Sequence, residues 1–178
     1  MMKRVYLLTG IPGTGKTGII KQAIVSVEGK AGGFYTEEIR SQGARKGFRL
    51  VTLDGEEAVL AHVKIESKHR VGKYGVDVGV MDKVGVAALQ GAMQQCSLVV
   101  VDEIGRMELF SDSFKKTILE IMDSGKRVLG TIMLNSNKWA DAIKRRSEVH
   151  VVPVTGANRQ QVLAGLKQWL EEGEETDD

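Results

Sequence analysis

Val5-Tyr6-Leu7-Leu8-Thr9-Gly10-Ile11-Pro12-Gly13-Thr14-Gly15-Lys16-Thr17 is the stretch on which the fold turns. Its first five residues form a short apolar, β-prone run. Gly10–Thr17 fits G-x-x-x-x-G-K-[ST], and the residues from Thr17 to Val27 lack proline and read as a helix. Strand, glycine loop and helix in this order form the unit whose backbone N–H groups wrap phosphate oxygens at a helix N-terminus. Gly10, Gly13 and Gly15 let the loop turn tightly and approach the phosphates, where a Cβ would clash or bar a positive φ. Lys16 can set its ammonium against the β- and γ-phosphates, and the Thr17 hydroxyl can ligate magnesium. Ile11, Pro12 and Thr14 complete the loop, and Gly18 extends the nucleotide-binding set by one residue.

About 85 residues on, Leu98-Val99-Val100-Val101 is a continuous apolar strand of the kind buried on both faces of a parallel sheet. It runs into Asp102 and Glu103. At the sheet's C-terminal edge Asp102 would face the phosphates and accept hydrogen bonds from waters on magnesium, an ion that keeps several waters. Glu103 is the candidate to orient and deprotonate an attacking water. Arg106 could reach phosphate or pair with Glu108. Arg145 and Arg146 are further candidate arginine fingers, although the dipole favours bases in a last helical turn on its own. Val154-Thr155-Gly156-Ala157-Asn158-Arg159 lies on the same edge, so Asn158 could bond a base and Arg159 stack on it. Asn158 with Gln161 also reads as a capping box. Asn137-Lys138-Trp139-Ala140-Asp141 is one residue too long for a guanine-reading N-K-x-D and is set aside.

Between these motifs, Ala31–Arg40, Phe48–Leu53 and Glu56–Val63 read as an antiparallel meander, with Asp54-Gly55 as a hairpin turn. Residues 64–80 are glycine-rich and basic and read as a loop. Helices are expected at Met81–Gln95, Ser111–Asp123, Ser136–Arg146 and Asn158–Glu172, and strands at Arg127–Ile132 and Val149–Val154. Alternation at these lengths predicts an α/β fold with a mostly parallel sheet flanked by helices. One domain is expected over residues 1–172, with the antiparallel insertion at about 31–63 and an acidic flexible tail at 173–178.

The 178 residues carry a net charge of +2, although residues 171–178 hold six of the acids and the remainder is +8. A basic body suits a polyanion, yet only 5% of residues are aromatic. Without a basic stripe interleaved with aromatics, nucleic acid is not an expected partner. No apolar run reaches the ~18 residues of a membrane span, so no membrane partner is expected. With a single cysteine, Cys96, neither an intrachain disulfide nor a cysteine metal cluster can form. A cytoplasmic enzyme acting on nucleoside triphosphates is the expectation.

Gly33-Phe34-Tyr35-Thr36-Glu37-Glu38-Ile39-Arg40, Val71-Gly72-Lys73-Tyr74-Gly75-Val76 and Val101-Asp102-Glu103-Ile104-Gly105-Arg106-Met107-Glu108-Leu109-Phe110 are more specific. With the P-loop and the 154–159 segment, they make the chain resemble the small P-loop nucleoside-triphosphatases of thermophilic prokaryotes. The human relative of that family is called the cancer-related nucleoside-triphosphatase. The resemblance implies a RecA-like core sheet with inserted antiparallel strands. It also implies slow, Mg2+-dependent hydrolysis of ATP, GTP and other triphosphates to diphosphate and phosphate, with low base selectivity. The chain departs from the family at Gly18, where a second Thr is common, and at Arg106, where Lys is usual. Met133 and Leu134 also replace a proline-containing turn. The alternative is a kinase passing the γ-phosphoryl group to a small acceptor bound near the meander and residues 64–80.

Overall fold

The computed structural model describes residues 3–27 and 29–174. Strand β1 (Val5–Thr9) is buried along its whole length. It delivers the chain into the glycine loop and then into helix α1 (Lys16–Ile24), which a 3-10 turn, Val25–Val27, extends. Next come β2 (Ala31–Ser41), β3 (Ala44–Thr52) and β4 (Glu57–His62). The β3–β4 reversal uses Asp54-Gly55 as expected, with Gly55 at φ 99°.

The stretch expected to be a loop is structured. Arg70–Val71 (β5) and Tyr74–Val76 (β6) pair antiparallel. Asp77 then caps the short helix α2 (Val78–Val80) through the Val80 N–H. A π-helical turn over Met81–Gly85 leads into α3 (Val86–Gln95). The remaining elements are β7 (Leu98–Ile104), α4 (Asp112–Asp123), β8 (Arg127–Ile132), α5 (Lys138–Lys144), β9 (Val149–Pro153) and α6 (Arg159–Glu174).

The nine strands of the described residues join one sheet in the order β5-β6-β4-β3-β2-β7-β8-β1-β9. The five strands from β2 to β9 are parallel, and β3, β4, β6 and β5 continue it with antiparallel pairings. Strand β2 belongs to both parts. Ala31–Phe34 pair with β7, and Phe34–Ser41 pair with β3. The antiparallel part therefore begins on a strand of the core sheet and runs past residue 63 to Val76. Helices cover both faces, so alternate residues of β1 serve different cores. Val5 and Leu7 pack with Phe114, Ile118 and Ile143, while Tyr6 and Leu8 pack with Ile20, Leu166 and Trp169. Trp169 lies against Tyr6 with ring centres 5.3 Å apart and packs in this second core.

Of the acidic tail, residues 175–178 lie outside the described residues. Gly173 and Glu174 instead close α6, and Glu174 pairs with Lys30 at 3.1 Å. No helix among the described residues is long and apolar enough to cross a membrane.

Candidate active site

The glycine loop Gly10–Gly15 sits at the C-terminal edge of the parallel strands, where β1 leads into α1. Gly15 stands at the N-cap of α1 with φ 84°, a conformation glycine adopts without strain. Gly10 lies so close to the end of β9 that a Cβ would stand 2.5 Å from the Val154 carbonyl oxygen. Lys16 Nζ donates to the carbonyls of Gly10 at 2.8 Å and Ile11 at 3.1 Å, holding its ammonium inside the loop's curve.

The β7 segment comes directly against this loop. Thr17 Oγ1 donates to Asp102 Oδ2 at 2.6 Å, across 85 residues of sequence. The other carboxylate oxygen, Oδ1, accepts from Thr131 Oγ1 at 2.5 Å. Neither acid begins a solvated loop. The β7–β8 register shifts between Val101 and Ile104, and Asp102 and Glu103, joined by a cis peptide bond, remain inside the strand. Asp102 is 2% exposed. Burial raises its pKa, against the hydrogen bonds from Thr131 and Thr17 and the charge of Lys16. Burial, and next the charge of Asp102, push the Glu103 carboxyl up to about 7, with Lys16 acting in the opposite direction. The Glu103 side chain folds back over Gly105, whose missing Cβ leaves that space.

Glu108 was expected only as a possible partner of Arg106. It is buried instead, beside the acids, in a 3-10 turn over Glu108–Phe110. Burial first and the Glu103 charge second hold its carboxyl well above the usual carboxylate range. Arg106 is exposed and lines the same cavity. Arg146 is occupied by Asp123 and Glu148, at 2.6 Å each, and neither it nor Arg145 lines that cavity.

The 154–159 segment divides in two. Asn158 Oδ1 accepts from the Thr155 N–H at 2.8 Å, and Nδ2 donates to the Pro153 carbonyl at 2.9 Å. Its side chain thus ties the turn together and does not reach forward to Gln161 as a capping box. Arg159 lies across the first turn of α1. Its guanidinium comes within 3.1 Å of where a Gly15 Cβ would stand and 3.2 Å of a Gly18 Cβ. It also donates to Gln22 Oε1 at 3.4 Å. Gly18 has no Cβ to crowd this guanidinium. Asn137 caps α5 through the Trp139 and Ala140 N–H groups, which accounts for the residue set aside as a base reader.

Loop, acids and meander enclose one cavity of about 860 Å³. Its lining includes residues that motif reasoning passed over: Thr36, Glu37, Glu38, Arg45, Phe48 and Tyr74. Only Tyr74 and the 33–40 segment carried a sequence signal, through the family resemblance. Thr131 had none, because its role depends on β8 lying beside β7.

The NTPase family model matches residues 5–166. The nucleoside-triphosphatase THEP1 of Thermotoga petrophila is 45% identical over 157 residues, covering 88% of this chain and 87% of that protein. The THEP1 protein of Methanocaldococcus jannaschii is 36% identical over 170 residues, covering 90% and 98%. Among solved structures, THEP1 of Aquifex aeolicus matches with a TM-score of 0.87 and 32% identity, covering 94% of this chain and 99% of that one. A human cancer-related nucleoside triphosphatase matches with a TM-score of 0.79 and 35% identity, covering 96% and 98%.

Proposed function

The chain belongs to the NTPase family and is a nucleoside-triphosphatase, and we propose that it is a cytoplasmic, Mg2+-dependent enzyme that hydrolyses ATP, GTP and other triphosphates with low base selectivity. The observation that carries this reading is the 2.6 Å bond between Thr17 and Asp102, which joins the two halves of the phosphate site and sets Glu103 beside them. The kinase alternative finds no support in these relatives, each of which bears a nucleoside-triphosphatase name or a name of that family.

In this mechanism the backbone N–H groups of Gly13–Thr17 hold the α- and β-phosphates at the start of α1. Lys16 exchanges its two carbonyl partners for β- and γ-phosphate oxygens. Glu103, with a carboxyl near neutrality, accepts a proton from water as the water oxygen bonds to the γ-phosphorus. The bond from that phosphorus to the β–γ bridging oxygen breaks, and diphosphate and phosphate leave. Arg106, exposed on the cavity wall, meets the charge that develops on the γ-phosphoryl oxygens.

A hydroxyl and a carboxylate, hard oxygen donors 2.6 Å apart beside the loop, fit magnesium, which takes such groups together with waters and substrate phosphates. Thr17 and Asp102 would hold it, and when bound it neutralises charge on the phosphate oxygens. Arg159, lying over Gly15 and Gly18, is on the α-phosphate side and stacks on whatever base is present, a contact every base can make. Asn158 contributes by holding the turn that carries Arg159.

Phosphate release from ATP, GTP, CTP and UTP, measured with no added acceptor, tests this reading. Release from all four at rates within about tenfold, lost on chelation of magnesium, is expected. Turnover that appears only with an added acceptor, or that survives chelation, overturns it. Lys16→Ala should weaken triphosphate binding, and unchanged binding sinks the assignment of the phosphate site. A loss of less than about tenfold in Arg106→Ala removes that residue from the mechanism.

A further inference from the structure

The cavity's lining reaches from the glycine loop to the antiparallel strands. A P-loop sets the direction of its ligand, with the γ-phosphate at the lysine and the α-phosphate at the first turn of the helix. Here the γ-phosphate lies at Lys16 and Glu103, and the nucleoside leaves past Gly18 and Arg159. Arg159 is not part of the cavity lining. The cavity instead continues away from the nucleoside, beyond Glu103, into the antiparallel strands. A bound triphosphate leaves that end unfilled.

That end is built from ordered side chains. Phe48 and Tyr74 meet edge to face with ring centres 5.3 Å apart. The Arg45 guanidinium stands over both rings, 5.2 Å from Phe48 and 5.7 Å from Tyr74. It is fixed by Nε donating to the Tyr74 hydroxyl at 2.9 Å and Nη1 donating to Glu38 Oε1 at 3.3 Å. Leu60 and Val71 add apolar wall. The result is an aromatic and guanidinium surface edged by a carboxylate, which matches a flat ring bearing hydrogen-bonding groups.

Charge narrows the ligand further. The cavity's cations are Lys16, Arg45 and Arg106, and its acids are Glu37, Glu38, Asp102, Glu103 and Glu108. Lys16 is committed to the triphosphate and Arg45 is paired with Glu38, so a second anion would meet another polyanion with both of these cations already engaged.

We infer that the Arg45–Phe48–Tyr74 end of the cavity is a second ligand subsite, which takes an uncharged nucleoside or a ring system of that size while triphosphate is bound. The inference takes the triphosphate site at Lys16 and Glu103 as given. The ligand is an effector: bound in the same cavity as Glu103, it slows hydrolysis.

Calorimetry on the full chain tests it. Mg2+ and a β,γ-imido triphosphate are titrated first, followed by adenosine, guanosine, cytidine and uridine into the saturated protein. At least one nucleoside binds at one per chain. Arg45→Ala and the milder Phe48→Leu, checked for cooperative thermal unfolding, each weaken it by about tenfold or more and leave imido triphosphate affinity within about twofold. In phosphate release, the bound nucleoside lowers kcat and leaves KM for the triphosphate unchanged. The subsite is overturned if no nucleoside binds up to its solubility limit, if imido triphosphate displaces the nucleoside, or if both variants bind it like the parent. Failure of the first titration removes the triphosphate reading as well, whereas success there and failure of the second removes the subsite alone.

Discussion

The carboxyl of Glu103 lies folded over Gly105: a Cβ added at Gly105 would stand 2.8 Å from Glu103 Cγ and closer still to Oε1. Gly105 has no positive φ, so alanine there meets no backbone penalty, and its whole effect falls on the neighbouring acid. Gly105→Ala should lower kcat by about tenfold with KM changed by less than about twofold, because the general base moves and the phosphate loop does not. Steady-state phosphate release reads both parameters. An unchanged kcat would show that Glu103 does not act from this position.

Glu103 must be ionised to accept a proton, and its carboxyl is held at about 7. In the parent enzyme kcat/KM, which reports the free enzyme, should therefore rise with pH through about 7 and level off above it. Glu103→Gln should lose about 100-fold or more of kcat and the pH-dependent limb with it, while imido triphosphate still binds. A variant that keeps the same rise with pH would assign the titration to another group.

The same carboxyl affects stability with the opposite sense. Its folded pKa of about 7 exceeds the unfolded value of 4.5, so the folded protein binds the extra proton between these limits. Stability from this group is complete below about 4.5 and is lost as pH rises through about 7. Glu103→Gln removes the penalty. It should be more stable than the parent at pH 8 by about 1–3 kcal/mol, and the gain should vanish near pH 4.5. Metal-free urea titrations at the two pH values measure it.

Thr131 donates to Asp102 Oδ1 in a fully buried position. Thr131→Val keeps the shape and leaves a buried carboxylate oxygen short of a donor, at a cost of about 1–3 kcal/mol. For a chain of this size that is a fall in Tm of about 2–12 °C. The magnesium concentration needed for half-maximal activity should also rise, since Asp102 then lacks one of the bonds that orient it. Calorimetry and a magnesium titration check the two effects.

The parts legible from sequence are those whose chemistry is local. Gly10–Thr17 is defined by neighbours in the chain, and Leu98–Val101 announces a strand buried on both faces. The β5–β6 hairpin was missed because Arg70–Val71 and Tyr74–Val76 are too short to show a period, and they become strands because β6 pairs with β4 and β5 with β6. Asp102 and Glu103 were read as following their strand. A register shift against β8, a partner distant in sequence, keeps them within it. The same cause hid Thr131, Arg45 and Phe48, whose roles arise from strand neighbours. Asn158 shows the reverse failure. A residue type suited to reading a base is committed to its own turn.

Strand β2 is one span of 11 residues, its first part paired to β7 and the rest to β3. A single stretch of backbone therefore ties the strand that carries Asp102 and Glu103 to the wall beyond it. Hydrogen exchange should show the amides of β2 protected together along both pairings. Residues 45, 48 and 74 lie on strands outside this shared one, so a lineage could retune what the far end admits while inheriting its phosphate chemistry intact.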